Sequence, residues 1–249
     1  MADHGAVWVQ TQTKGLKTQL ESGVRFLDIR CRCIDNWFAL HHGATFLGSW
    51  FGSDVRDVVY HFLTDHPSEF VVMSIKKEHK SEGCSKSFQQ VFQSYIGSDS
   101  RWFLENRIPE VGEVRGKVIL LSRFGEKLGI DASYWPVNVE THVDHRYSNH
   151  TLIISDYYKL FTWDINWKYR DCMKKMKQSH LANRDTTNKL YITFASGSTY
   201  ATAWTIARWT RWGNGVNDYI DEDIKDIAEE KEKTHKCLGT GETSLLSKH

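Results

Sequence analysis

The sequence predicts an α/β fold arranged as a parallel (β/α) barrel. Apolar strands alternate with amphipathic helices, as where "EFVVMSIKKE" leads into "SKSFQQVFQSYIG" and then "GKVILLSRFG". That order argues for parallel strands joined by right-handed crossovers. No glycine-rich dinucleotide fingerprint follows any strand, which favours the barrel over the doubly wound sheet. Polar groups gather at several strand ends, and a barrel brings such ends to one mouth.

Each element has its own signal. Residues 8–24 carry Leu16 and Leu20 at helical spacing, with Gly23 placed to stop a helix before the strand "RFLDIRCR". After "WFALHH", the segment "SDVRDVVYHFLTDHP" puts Val55, Val58, Val59, Phe62 and Leu63 on one helical face, with Ser53 as its cap and Pro67 beyond its end. "EFVVMSIKKE" is too continuously apolar for a one-faced strand and fits a parallel strand covered on both sides. Phe88, Val91, Phe92, Tyr95 and Ile96 then mark a helix ending at Gly97, and "GKVILLSRFG" is the next buried strand. Residues 130–180 are less regular, with "SYWP" and "ISDYYKL" as landmarks. "KLYITFAS" is a further strand, followed by the small-residue loop "GSTYATAW". "VNDYIDEDIKDIAEEKEK" reads as a charged helix. There is no internal repeat. The expectation is one domain over residues 1–232 and a disordered tail over 233–249.

Composition narrows the function. A chain of 249 residues suits one large domain, and 40% apolar content with 13% aromatic residues fills a sizeable core. A formal charge of +1 gives no general attraction to nucleic acid, so any phosphate chemistry must be local. Five cysteines, an odd number without C-x-x-C spacing, indicate neither a full disulfide framework nor a zinc site. Cys31 and Cys33 alternate along a strand and read as buried thiols. No apolar run is long enough to span a membrane, and "MADHGAVWVQ" has neither the basic start nor the apolar core of a signal peptide. The chain therefore reads as cytosolic or incomplete at its start, with its compartment open.

The polar groups at predicted strand ends are Asp28 and Arg30, His41 and His42, Lys76 and Lys77 with Glu78, and Arg123. A strand-end Asp-x-Arg taken alone is more often a structural ion pair, and a lone His-His pair says little. Four such ends together point to a cationic site. Arginine cannot shed its charge and suits a phosphate or vicinal hydroxyls, while histidine can protonate a leaving oxygen.

The stretches "TQTKGLKTQLESGVRFLDIRCR", "ALHHG", "HPSEFVVMSIKKE", "GKVILLSRF", "YWPVNVET", "ISDYY" and "LYITFASGSTYATAW", in this order, resemble the catalytic domain of the bacterial-type phosphatidylinositol-specific phospholipases C. The likeness covers roughly residues 7–220. It implies a distorted (β/α) TIM-type barrel and cleavage of phosphatidylinositol to diacylglycerol and a cyclic inositol phosphate, the inositol 2-hydroxyl attacking phosphorus. By the resemblance His42 is the general acid that protonates the glycerol oxygen, Arg30 binds the phosphate and Asp28 holds their neighbours. Lys76, Arg123 and Asp156 match groups that bind inositol hydroxyls, and Tyr158 the aromatic on which the ring stacks. Trp8 and Trp204 match exposed tryptophans at the lipid interface. Calcium-dependent relatives keep acidic or amide ligands where Arg30 and Lys76 stand, so the resemblance implies a metal-free mechanism without a cofactor. The partners it implies are an inositol lipid and, peripherally, a membrane surface.

The pattern departs at both ends. The family's Thr-His-Asp-type strand, which carries the general base, is not matched, since His4 lies too close to Trp8. At the other end either Tyr219 and Ile220 belong to the helix after the "TAW" loop or Asp218 is the last catalytic carboxylate. The barrel is therefore expected to be incomplete at both ends. A catalytically impaired inositol-phospholipid binding module is the alternative to an active phosphodiesterase. Metal-dependent glycerophosphodiester phosphodiesterases need several acidic ligands that these strand ends lack.

Overall fold

The structure is a computed structural model. It describes residues 14–125, 128–144, 150–160, 164–181, 188–197, 206, 215–220 and 223. Trp8 and Trp204, most of the charged C-terminal segment and the expected tail lie outside the described residues. The chain divides into two compact units, one over Gln12–Tyr134 and one over Trp135–Lys248.

In the first unit the helix α1 (Leu16–Glu21) buries Leu20, and Gly23 at φ +97° turns the chain into β1 (Phe26–Ile34). β1 alternates strictly, with Leu27, Ile29, Cys31 and Cys33 in the core and Asp28, Arg30 and Arg32 on the other face. Asp35 and Asn36, both at positive φ, form a two-residue turn into β2 (Trp37–His42), which runs back antiparallel with Leu40 opposite Cys31. Asp and Asn tolerate this backbone because a short polar side chain can bond locally. Gly43 at φ +59° then turns β2 into β3 (Thr45–Trp50), again antiparallel. The all-parallel reading is thus corrected at this point, because two tight turns leave no residues for a crossover.

The next helix does not start at a Ser53 cap. A π-helical turn, Phe51–Arg56, precedes α2 (Asp57–Asp65), and Asp54 accepts the Trp50 amide at 2.7 Å. The Asp54 carboxylate thus reaches back to the amide ahead of the turn, and neither the turn nor α2 has a side-chain cap at its first residue. Val55, Val59, Phe62 and Leu63 are buried as their spacing predicts. β4 (Val71–Lys77), α3 (Phe88–Ile96), β5 (Trp102–Phe103), β6 (Val118–Arg123) and β7 (Ile130–Asp131) complete the sheet. Ser87 and Gln90 cap α3 reciprocally, at 3.2 and 2.8 Å. The strand order is β3-β2-β1-β4-β6-β5 with β7 also on β6, and β1, β4 and β6 are parallel neighbours. Phe38 stacks on Phe88 and Tyr95 in the core, with ring centroids at 4.2 and 5.6 Å.

Cys33 is not a free thiol: it forms a disulfide with Cys84, 51 residues away. The strand pattern could not show this, because the partner arrives on the loop after β4. The end of β1 exchanges backbone hydrogen bonds with that segment, Asp35 N–H donating to the Glu82 carbonyl and Glu82 N–H to the Cys33 carbonyl. Cys31 is a buried thiol, and burial pushes its pKa up.

The second unit holds β8 (Glu140–Asp144), β9 (Thr151–Ser155) and β10 (Lys189–Thr193), with β10 parallel and β8 antiparallel to β9. Between β9 and β10 runs α4 (Ile165–Leu181), a helix of 17 residues in the stretch that reads as irregular. Its lysines hide it. Lys168 and Lys175 are buried where the helical pattern calls for apolar residues, and the Lys168 ammonium donates to the Tyr157 carbonyl at 2.7 Å.

Candidate active site

Three parallel strands set the geometry of the site. Arg30 on β1 is opposite Lys76 on β4, and Lys76 is opposite Arg123 on β6. One step earlier Asp28 is opposite Ser74. Paired residues of neighbouring strands share a face, so the register alone lays Arg30, Lys76 and Arg123 in a row with Asp28 beneath it.

Carboxylates lock the row. Asp28 Oδ2 lies 3.4 Å from the Arg30 guanidinium, while its Oδ1 accepts the Ser74 hydroxyl at 3.1 Å and lies 3.5 Å from Arg123 Nη1. Glu78 lies 3.8 Å from Arg30 Nη1 and 3.5 Å from Lys76 Nζ, and accepts the Gly43 amide at 3.0 Å. Burial by itself raises the Glu78 pKa, but the Gly43 hydrogen bond and the Lys76 and Arg30 cations together hold it below the usual carboxylate range. The row sets two guanidinium groups and one ammonium side by side on one face. Such a cationic row suits an anionic group, to which arginine can present a planar donor fork.

His41 and His42 lie on β2, the antiparallel neighbour of β1. β2 runs antiparallel to β1, so its return carries His41 and His42 back to the level of Arg30 and Ile29. His42 is exposed and immediately precedes Gly43, whose amide Glu78 holds. His41 is buried, and among the described residues neither ring nitrogen has a hydrogen-bond partner. Burial first, and then the Arg32 cation, lower its pKa.

The remaining candidates belong to the second unit. Asp156 follows β9, is buried, and accepts the Trp135 indole N–H at 3.1 Å. The Tyr158 amide donates to the Asn138 side chain at 3.1 Å. Tyr219 and Ile220 are helical, and the Asp218 carboxylate accepts the Gly215 amide at 2.9 Å. Glu78 and Ser74 had no assigned role in the sequence reading, although the "MSIKKE" stretch places both beside Lys76. Among the described residues no cluster of three or more His, Cys, Asp or Glu side chains could hold a metal ion.

Comparison with known proteins shows what the chain is similar to. Residues 3–124 match the family described as phosphatidylinositol-specific phospholipase C, X domain. A 1-phosphatidylinositol phosphodiesterase of Staphylococcus aureus (strain Newman) is 32% identical over 208 residues, covering 77% of this chain and 65% of the relative. The enzyme of the same name from Listeria monocytogenes is 36% identical over 120 residues, 45% of this chain and 36% of the relative. The chain thus spans just under two thirds of the S. aureus relative. The solved structure of a pentafluoro-Phe form of the S. aureus phosphatidylinositol-specific phospholipase C superposes with a TM-score of 0.71 at 25% identity, over 92% of this chain and 76% of that one. The L. monocytogenes phospholipase C structure gives a TM-score of 0.68 at 24% identity, a likeness of fold. These neighbours are TIM-barrel enzymes, and the fold class read from the sequence is theirs.

Proposed function

The chain belongs to the phosphatidylinositol-specific phospholipase C X-domain family, and from that premise we propose that it cleaves the phosphodiester of phosphatidylinositol or a related inositol lipid. The observation that carries this reading is the row of Arg30, Lys76 and Arg123 locked by Asp28 and Glu78. The Arg30 fork meets the phosphate oxygens, and its fixed charge stabilises the negative charge that builds on them as the inositol 2-hydroxyl attacks. Lys76 and Arg123 hold the inositol hydroxyls. His42 protonates the departing glycerol oxygen, so the bond from phosphorus to that oxygen breaks as the cyclic phosphate closes, and the proton of the attacking 2-hydroxyl, to which no base of this chain is assigned, passes to solvent water. The guanidinium and ammonium supply the charge stabilisation that a cation would otherwise provide, which supports metal-independent chemistry.

The test is release of cyclic inositol phosphate from phosphatidylinositol vesicles with chelator present. Turnover should survive the chelator and fall by roughly a hundredfold to ten-thousandfold in His42→Ala. Vesicle binding without turnover would replace this reading with that of an inositol-lipid binding module.

A further inference from the structure

Half of the large apolar side chains that the described residues expose lie on one hairpin. Trp37 is 62% exposed, and Phe46, Leu47 and Trp50 are each more than 40% exposed. A single exposed apolar residue is ordinary, whereas a contiguous group marks a contact surface. Phe46 and Trp50 touch, with ring centroids at 5.7 Å, and Trp37 meets the Tyr95 ring edge-on at 6.2 Å.

Trp37, Trp50 and Tyr95 wall an open groove of about 730 Å³, and Arg56 and Lys86 line the same groove. The Arg56 guanidinium is fixed by Asp57 at 2.8 Å and the Tyr95 carbonyl at 2.9 Å. Lys86 is placed by its amide, which donates to the Asn36 side chain at 3.0 Å, next door to Trp37. Among the described residues Lys86 makes no ion pair. Indole rings beside cations are the residue types that settle at a bilayer's headgroup level, the ring in the interface and the cation on phosphate.

We propose that this hairpin face is a docking surface for a phospholipid bilayer, with headgroup phosphates entering the groove between Trp37, Trp50 and Lys86. The inference rests on the reading of the chain as an enzyme of inositol lipids, and continuity with that site supports it. The hairpin turns three residues before Phe46, immediately after His42, and the oxygen that His42 protonates belongs to a diacylglycerol seated in the bilayer. The edge strand β3 runs from Thr45, opposite His42, to Trp50, opposite Ala39, so the exposed Phe46, Leu47 and Trp50 lead from the His42 end of the hairpin to the groove at Trp37. Pairing with a second copy along the edge strand β3 is disfavoured by its own irregularity, since the β2–β3 register shifts between Ala39 and His41 and Gly48 sits at φ +75°.

The experiment is co-sedimentation with vesicles of phosphatidylcholine alone and of phosphatidylcholine with phosphatidylinositol, comparing the full chain with Trp37→Ala/Trp50→Ala and with Lys86→Glu. The double variant should lose at least tenfold in partitioning onto both vesicles. Lys86→Glu, a surface change that leaves the fold alone, should lose affinity on the anionic vesicles only, with the difference vanishing at high salt. Unchanged partitioning of both variants, or no partitioning of the parent chain, would overturn the proposal. So would a double variant that alters self-association while binding vesicles normally, which would make the hairpin a contact between copies. Binding through the hairpin without release of cyclic inositol phosphate would uphold the docking surface and remove only the catalytic reading.

Discussion

Glu78 Oε1 lies 3.8 Å from Arg30 Nη1 and accepts the Gly43 amide at 3.0 Å, so one carboxylate oxygen ties Arg30, the arginine proposed to meet the phosphate, to the turn that follows His42. Glu78→Ala releases both, and turnover should fall by roughly tenfold to a hundredfold, the scale of a small misplacement of reacting groups. Glu78→Gln keeps an acceptor for Gly43 and should retain more activity than Glu78→Ala. Equal rates for the two variants would show that the tie to Gly43 is idle.

Arg30→Lys preserves charge but replaces a planar fork with a point cation on a flexible stem. Turnover should drop by about a hundredfold or more, with the melting temperature little changed, because the Arg30 side chain is partly exposed and its ion pairs are long. Full activity in this variant would place the phosphate elsewhere.

The Cys33–Cys84 disulfide closes a loop of 51 residues, which corresponds to about 4 kcal/mol in the chain-entropy account. Cys84→Ser should lower the denaturant midpoint accordingly. Reductant should lower the midpoint of the parent chain and leave that of the variant unmoved.

His41 supplies a pH signature. Its pKa is lowered in the folded state by burial and by Arg32, so below the ordinary histidine value of about 6.5 the unfolded chain binds a proton that the folded chain refuses. Stability should therefore fall as pH drops through and below that value. His41→Gln should flatten the slope of the melting temperature between pH 7 and 5, and an unchanged slope would assign it to other groups. The lowered Glu78 pKa acts further down: its contribution is complete above the usual carboxylate range and is lost as pH falls through the lowered value.

Much of the molecule is legible in the one-dimensional pattern. Alternation places Asp28 and Arg30 opposite the core face of β1, helical spacing buries Val55, Val59, Phe62 and Leu63, and the end of "SIKK" puts Lys76 on a strand beside them. Local periodicity determines these because side-chain direction follows from the backbone repeat within a few residues. The sequence thus determined the class of fold, the cationic character of the site and the residues that supply it. Tertiary structure decided what depends on partners far along the chain. It aligned Arg30, Lys76 and Arg123 by inter-strand register, brought Cys84 to Cys33, reversed β2 so that its His41–His42 end returns to the level of Arg30 and Ile29, and set Glu78 between Arg30 and the Gly43 amide. No local pattern encodes such pairings, because each is a balance between burial in the whole sheet and the entropy of closing the loop that joins its members.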